Sequence, residues 1–266
     1  MSIGTKNIIL KAKNLDIGYK EKNSIKTIQK NINFELSNQE FVTILGRNAI
    51  GKSTLLRTLS KVQQPIHGEV SINNRKIKDY SVKALSTVIS LVLTERLPES
   101  QLTVFELVAL GRQPYTNWVG KLEKKDVEKV MWALQQTDTE NLVKKYFYEL
   151  SDGQLQRVLI ARALAQDTQI IMLDEPTAHL DMHHTIKVFQ LLKKLTKETQ
   201  KTIIITTHEV NLAINSADQI ILLNDKEVIS GDKEALIQNN SFKNLFPSEI
   251  INFSTSLEQF IITKNF

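Results

Sequence analysis

The segment Gly46-Arg47-Asn48-Ala49-Ile50-Gly51-Lys52-Ser53-Thr54 places two glycines, a lysine and a hydroxyl at the spacing G-x-x-x-x-G-K-[ST]. Residues of these types at this spacing suit a polyphosphate. Backbone N–H groups can curl around an anion only where the chain adopts positive φ or comes very close to the ligand, and both favour glycine. A helix that begins there aims the positive end of its dipole at the same anion. Lys52 then offers a charge to the terminal phosphates, and Ser53 offers a hydroxyl to Mg²⁺. Further along, the apolar run Ile170–Leu173 ends in Asp174 and Glu175, with Pro176 closing it. Asp174 is placed to hold Mg²⁺, directly or through water. Glu175 is placed to orient or deprotonate an attacking water.

Both motifs need strands that end at them. Phe41–Leu45 is a short apolar run that stops at Gly46, the pattern of a buried strand feeding a turn. From Lys52 the spacing becomes helical, with Leu55, Leu59 and Val62 on one face. Residues 8–36 read as strands: Ile32, Phe34 and Leu36 alternate with Asn31, Asn33 and Glu35. Ser71–Ile77 and Val88–Leu93 read as further strands. Residues 99–150 change character. Thr103 and Glu106 form a capping-box pair, and Val127, Val130, Met131 and Leu134 make an apolar helical stripe. Strands return at Ile170–Leu173 and Thr202–Thr206. Ile220–Leu223, Asn224-Asp225 and Val228-Ile229 predict a hairpin. This order predicts an α/β fold with a parallel sheet and an inserted helical subdomain at about residues 95–155, within a single domain spanning 1–266.

Composition excludes several classes. The 266 residues are 41% hydrophobic and 24% charged, as in ordinary globular proteins, and include no cysteine. Disulfide frameworks, thiol catalysis and cysteine-bound zinc are therefore ruled out. The net charge of +5 is spread along mixed-sign runs such as KLEKKDVEKV, which read as solvated helix faces. It allows but does not require a nucleic-acid or anionic-membrane partner, and no nucleic acid is expected. The first residues lack the apolar run of a signal peptide, and no stretch of about 18 apolar residues is present. Work at a membrane would require a partner to hold the protein there. His179, Asp181, His183 and His184 lie close in sequence, but a metal site is not expected from them.

LSDGQLQRVLIARALAQD, Leu150 to Asp167, resembles the signature segment of ATP-binding cassette (ABC) proteins, usually LSGGQ. Other matches occur in order. Tyr19 resembles the aromatic residue that stacks on adenine, Ala178-His179-Leu180-Asp181 the D-loop, and His208 the switch histidine that contacts the γ-phosphate. The resemblance spans roughly residues 8 to 245. It implies the ABC nucleotide-binding domain: a P-loop NTPase core with a mostly parallel sheet, an N-terminal antiparallel β subdomain and an inserted α-helical subdomain. It implies ATP and Mg²⁺ as cofactors, and catalytic roles for Lys52, Glu175 and His208. Nucleotide contacts would come from Tyr19, from Gly46, Arg47, Asn48, Ala49, Ile50, Gly51, Lys52, Ser53 and Thr54, and from Ser151, Gly153, Gln154 and Asp181. Metal contacts would come from Ser53, Glu95 and Asp174. It also implies a head-to-tail homodimer in the ATP-bound state, with Ser151 and Gly153 of one copy meeting the γ-phosphate held by the other. The helix begun by Ser151 is expected to face a core with Leu155, Val158 and Leu159.

Departures from the family pattern carry their own expectations. Asp152 replaces a glycine and is expected to cap its own helix, away from the phosphates. Ala49 also replaces a glycine and should have negative or mildly strained φ. Ile50 is bulkier than usual. Glu95 stands near the position of a glutamine that contacts Mg²⁺; it can accept hydrogen bonds but not donate them.

ELVALGRQPYTNW, Glu106 to Trp118, resembles a stretch of importer ATPases for iron-siderophores, haem and vitamin B12, as do VLTER and TTHEVNLA. In that group the helical subdomain receives a cytoplasmic helix of a membrane permease. Tyr115 and Trp118 suit such a contact surface. The resemblance thus implies a peripheral ATPase at the cytoplasmic face of the inner membrane, acting with permease subunits and indirectly with an extracytoplasmic substrate-binding protein. The alternative is a soluble cassette ATPase serving cluster assembly or nucleic-acid maintenance.

Overall fold

Period-two alternation builds the first sheet. β1 (Ile8–Glu21) pairs antiparallel with β2 (Ser24–Ser37), where Ile32, Phe34 and Leu36 are buried while Asn31, Asn33 and Glu35 are exposed. The computed structural model describes residues 7–21, 24–94, 100–117, 120–246 and 250–263. They form two units, Met1–Tyr80 with Thr202–Phe266, and Ser81–Lys201.

In the first unit, β3 (Phe41–Leu45) is buried at every position and delivers the chain to Gly46. α1 (Lys52–Leu59) follows and seals Leu55, Leu56 and Leu59 completely against solvent. Val62, expected on that face, is 57% exposed because the helix stops earlier. The Ser60 hydroxyl donates to the carbonyls of Leu56 and Arg57, and Lys61 turns left-handed at φ 64. The strand expected over Ser71–Ile77 is two strands. β4 (His67–Ile72) pairs with β1, and β5 (Arg75–Lys76) folds back on β4 across Asn73 and Asn74. Both asparagines have positive φ, 50° and 61°, as a tight two-residue hairpin turn requires.

The Ser81–Lys201 unit contains α2 (Val82–Ser86), β6 (Ile89–Val92), α3 (Val104–Ala109), α4 (Lys124–Gln136), α5 (Asp152–Ala165), β7 (Ile170–Leu173) and α6 (Met182–Thr199). β6 and β7 run parallel, with Ile89 opposite Ile170 and Val92 opposite Leu173. α3 opens with the expected capping box: Glu106 N–H donates to the Thr103 hydroxyl and Thr103 N–H to the Glu106 carboxylate. α3, α4 and α5 pack on one another. The buried face of α4 is Asp126, Val130, Ala133 and Leu134, rotated from the expected stripe, and Val127 is 38% exposed. The rotation has a local cause. Asp126 turns inward to meet Arg112, an ion pair that no hydrophobic periodicity reveals.

The chain then returns to the first unit with β8 (Thr202–Thr206), α7 (Val210–Ser216), β9 (Gln219–Leu223), β10 (Val228–Gly231), α8 (Lys233–Gln238), β11 (Ile251–Ser254) and β12 (Gln259–Ile262). β3 lies between β8 and β9 and parallel to both. Ile203, Ile204, Ile205, Ile220 and Ile221 are wholly buried there, each worth about 1.5–3 kcal/mol on transfer from water. β9 and β10 form the expected hairpin, and Asn224 Oδ1 shapes its turn by accepting from the N–H groups of Lys226 and Glu227. Among the described residues no helix is long and apolar enough to cross a membrane.

Candidate functional site

Gly46–Thr54 joins β3 to α1, the strand–loop–helix context a phosphate loop needs. Gly51 is the N-cap residue of α1 and has φ 113°, a conformation closed to other residues at reasonable cost. It provides no side chain to cap the helix, and an α-helix leaves its first N–H groups without intrahelical acceptors. The loop is therefore shaped for an anion. Ala49 is left-handed at φ 61°, the strained alternative, at about 1–2 kcal/mol. The Lys52 side chain is 4% exposed and folds back over the loop. Its ammonium donates to the carbonyls of Gly46 (3.0 Å) and Arg47 (3.2 Å) and lies 3.4 Å from His208 Nδ1.

β8 ends two residues before His208, so that imidazole and the Lys52 ammonium share one neighbourhood although 156 positions separate them. Tyr19, on β1, is 46% exposed, and its hydroxyl lies 3.1 Å from Thr54 Oγ1. A half-exposed aromatic side chain thus stands at the edge of the loop. Arg47 pairs with Asp225 at 3.2 Å on the surface, while Asn48 is exposed. One bracing residue carries no sequence signal: Gln29 on β2, 6% exposed, donates through Nε2 to the carbonyls of Ile50 (3.3 Å) and Asn224 (2.9 Å). It ties the phosphate loop to the β9–β10 turn, and only tertiary proximity identifies it.

In the other unit, every residue of β7 is buried, and Asp174 emerges at its end only 3% exposed. The Asp174 N–H donates to the Val92 carbonyl at 2.8 Å, which extends the β6–β7 ladder up to the carboxylate. Glu175 has φ 47°, a left-handed conformation that costs energy for a residue with a Cβ and turns the chain sharply after the strand. Asp174 and Glu175 line a cavity of about 470 Å³ together with Asp152, Gln156, Leu155 and Leu159. Leu155 and Leu159 are thus half-buried cavity residues, whereas Val158 is buried as expected. Ser53 on α1 and Asp174 are hard oxygen donors of the kind Mg²⁺ takes. Glu95 and Trp118 lie outside the described residues.

The signature segment begins α5, but its cap differs from expectation. Ser151 is the N-cap: its hydroxyl accepts from Gln154 N–H (3.4 Å), and Gln154 Oε1 accepts from Ser151 N–H (3.1 Å). Asp152 is the first helical residue, where its charge favours the positive helix end without capping it. Gly153 lies against the His184 ring, which would have to shift for any side chain here, since a Cβ would lie 2.7 Å from His184 Cδ2. His184 is itself held by Asp181, the N-cap of α6: the carboxylate accepts from His184 N–H at 2.8 Å and lies 2.9 Å from Nδ1. These bonds hold the Asp181 carboxyl below its usual range. The histidine-rich run therefore serves a helix start, and among the described residues no cluster suited to a metal ion occurs.

Gly111–Tyr115 surrounds a buried charge. Arg112, 6% exposed, donates through Nε to Asp126 Oδ1 (3.0 Å) and through Nη1 to the Ala165 carbonyl (2.8 Å), and its guanidinium lies 4.1 Å from the Tyr115 ring centre. Burial pushes the Asp126 carboxyl up, but the Glu123 N–H and the Arg112 charge outweigh it and hold the group below its usual range. A carboxyl with a depressed folded-state pKa stabilises the fold fully above about pH 4, and that contribution is lost as pH falls through the folded value. Asp126→Asn should destabilise the protein by about 3 kcal/mol at neutral pH, because it strands the buried Arg112 charge. In urea melts the gap between parent and variant should shrink towards pH 2.5; an equal gap there would rule out this assignment.

Known proteins resemble this chain over most of its length. The ABC transporter family pattern matches residues 29–178. The petrobactin import ATP-binding protein FpuD of Bacillus anthracis is 36% identical over 241 residues, covering 90% of this chain and 87% of its own. Among solved structures, a metal-chelate type ABC transporter in an inward-facing conformation superposes with a TM-score of 0.78 at 29% identity, over 96% of each chain. The ATP-binding cassette MJ0796, a dimer in a post-hydrolysis state bound to ADP and Pi, gives 0.73 at 33% identity, over 85% of this chain and 99% of that one. The phosphate loop, the acidic strand end and the signature helix, together with these likenesses, establish that the chain belongs to the ABC transporter family, as an ATP-binding subunit that hydrolyses ATP.

Proposed function

We propose that this protein is the ATPase subunit of an importer for iron-siderophore, haem or cobalamin-type chelates, working as a homodimer beneath a separate membrane permease at the cytoplasmic face of the membrane. The observation that carries this reading is the likeness to a petrobactin import subunit over 90% of the chain. The likeness to a metal-chelate type transporter over 96% of the chain supports it. These relatives are transport proteins, which leaves the non-transport alternative without support.

ATP would be held by the phosphate loop, with Lys52 on its terminal phosphates and Tyr19 against adenine. Mg²⁺, when bound through Ser53 and Asp174, would neutralise charge on the phosphate oxygens. Glu175 would take the proton of the attacking water, and His208 would contact the γ-phosphate. Ser151, Gly153, Gln154 and Asp181 would face the nucleotide of the second copy. An extracytoplasmic binding protein would deliver the chelate to the permease.

A shallow surface depression of about 720 Å³ in the Ser81–Lys201 unit suits the permease contact. Val82 (84% exposed) and Leu110 (41%) present apolar side chains there beside Pro114. Exposed apolar side chains rimmed by polar ones are typical of protein-contact surfaces. The test is co-purification with a multi-spanning membrane protein. Leu110→Asp should weaken that association about tenfold or more, because it buries an unpaired charge. Failure of the parent protein to associate with any permease, or to support chelate uptake, would defeat the proposal.

A further inference from the structure

His208 is followed at once by α7, so whatever fixes α7 also fixes the backbone from which the imidazole projects. The connection is short and stiff: Glu209 N–H donates to the Thr207 hydroxyl (3.0 Å) and Val210 N–H to the His208 carbonyl (2.9 Å). Yet α7 has little of its own to hold it. It is seven residues long, buries only Ala213 and Ile214, and its N-cap, Glu209, makes no side-chain cap bond. A helix this short is not stable by itself and needs tertiary anchorage.

α7 packs on both β3 and β12, and the polar part of this anchorage comes from β12. Asn211 grips β12 with both ends of its amide: Nδ2 donates to the Phe260 carbonyl (3.2 Å), and Oδ1 accepts from the Phe260 N–H (2.8 Å). The geometry is that of one more strand pair, made by a side chain. The hairpin it grips is itself seated. Phe253 stacks on Phe242 at 4.6 Å, Phe260 meets Phe246 edge-on at 5.1 Å, and Lys233 on α8 pairs with Glu258 in the hairpin turn. Phe242 is 1% exposed, so this aromatic cluster is continuous with the core of its unit.

We propose that the β11–β12 hairpin is a latch on the helix behind His208, with Asn211 as the positioning residue. It acts through His208, which lies 3.4 Å from the Lys52 ammonium, and rests on the ATPase reading above. The latch sets the imidazole for hydrolysis and contributes little to nucleotide affinity, which the phosphate loop supplies. A misplacement of a catalytic group by about 1 Å is enough to cost a large factor in rate.

The experiment compares full-length parent, Asn211→Ala, Phe260→Ala and the double variant. Rates are normalised to the fraction of protein that binds ATP, so loss of folded protein is not counted as loss of catalysis. Asn211→Ala should lower kcat about tenfold with ATP affinity within about twofold of the parent. Asn211→Asp, which would set a carboxylate oxygen against the Phe260 carbonyl, should be at least as slow as Asn211→Ala. The double variant should be no slower than the slower single one, since both open the same latch. An unchanged normalised kcat in Asn211→Ala, or additive losses in the double variant, would overturn the latch. A parent protein that does not hydrolyse ATP would instead defeat the underlying ATPase reading.

Discussion

Glu175→Gln should abolish most ATP turnover, by a factor of about 10²–10⁴, while leaving ATP binding intact. Glutamine has the same size and can keep the sharp turn that follows β7, where position 175 sits at φ 47°. It retains an oxygen to orient water but cannot accept a proton at neutral pH. The loss is therefore chemical and not structural. Because ATP binding and dimer closure precede proton transfer, the variant should accumulate as an ATP-bound dimer that elutes early on size-exclusion chromatography. Hydrolysis at the parent rate would show that another group is the base.

Lys52→Ala should raise the Kd for ATP roughly 10²–10³-fold and remove turnover with it. Charge-assisted hydrogen bonds are worth about 1.5–3 kcal/mol each, and a lysine in this loop makes more than one to the terminal phosphates. The ammonium already sits over the loop, with the Gly46 and Arg47 carbonyls at 3.0 and 3.2 Å. Phosphate oxygens would replace these acceptors with little movement of the side chain. Titration calorimetry with ATP measures the effect directly. An unchanged Kd in a variant whose melting temperature matches the parent would refute the role of this residue.

Legibility followed sequence distance. The phosphate loop was readable because its strand, turn and helix are consecutive, so the spacing of Gly46, Gly51, Lys52 and Ser53 is itself the geometry. The same holds for the Thr103–Glu106 capping box and the Asn224 turn. Local chemistry misled where two readings competed. Asn73-Asn74 is a left-handed turn inside what read as one strand, and the Ser151 hydroxyl took the capping place expected of Asp152. Leu155 and Leu159 followed a helical period but face a cavity.

Residue types and short spacings alone determined that this chain binds a polyphosphate, that Asp174 and Glu175 end a buried strand, and that a helical segment interrupts an α/β core. These depend on backbone conformation within a few residues, which side-chain chemistry dictates directly. Tertiary structure decided which distant partners complete them: Gln29 beneath Ile50 and Asn224, Arg112 against Asp126, His208 beside Lys52, and Asn211 on Phe260. Each joins polar groups brought together only by the packing of apolar faces. That packing is non-directional and leaves no periodic trace at the polar positions it unites.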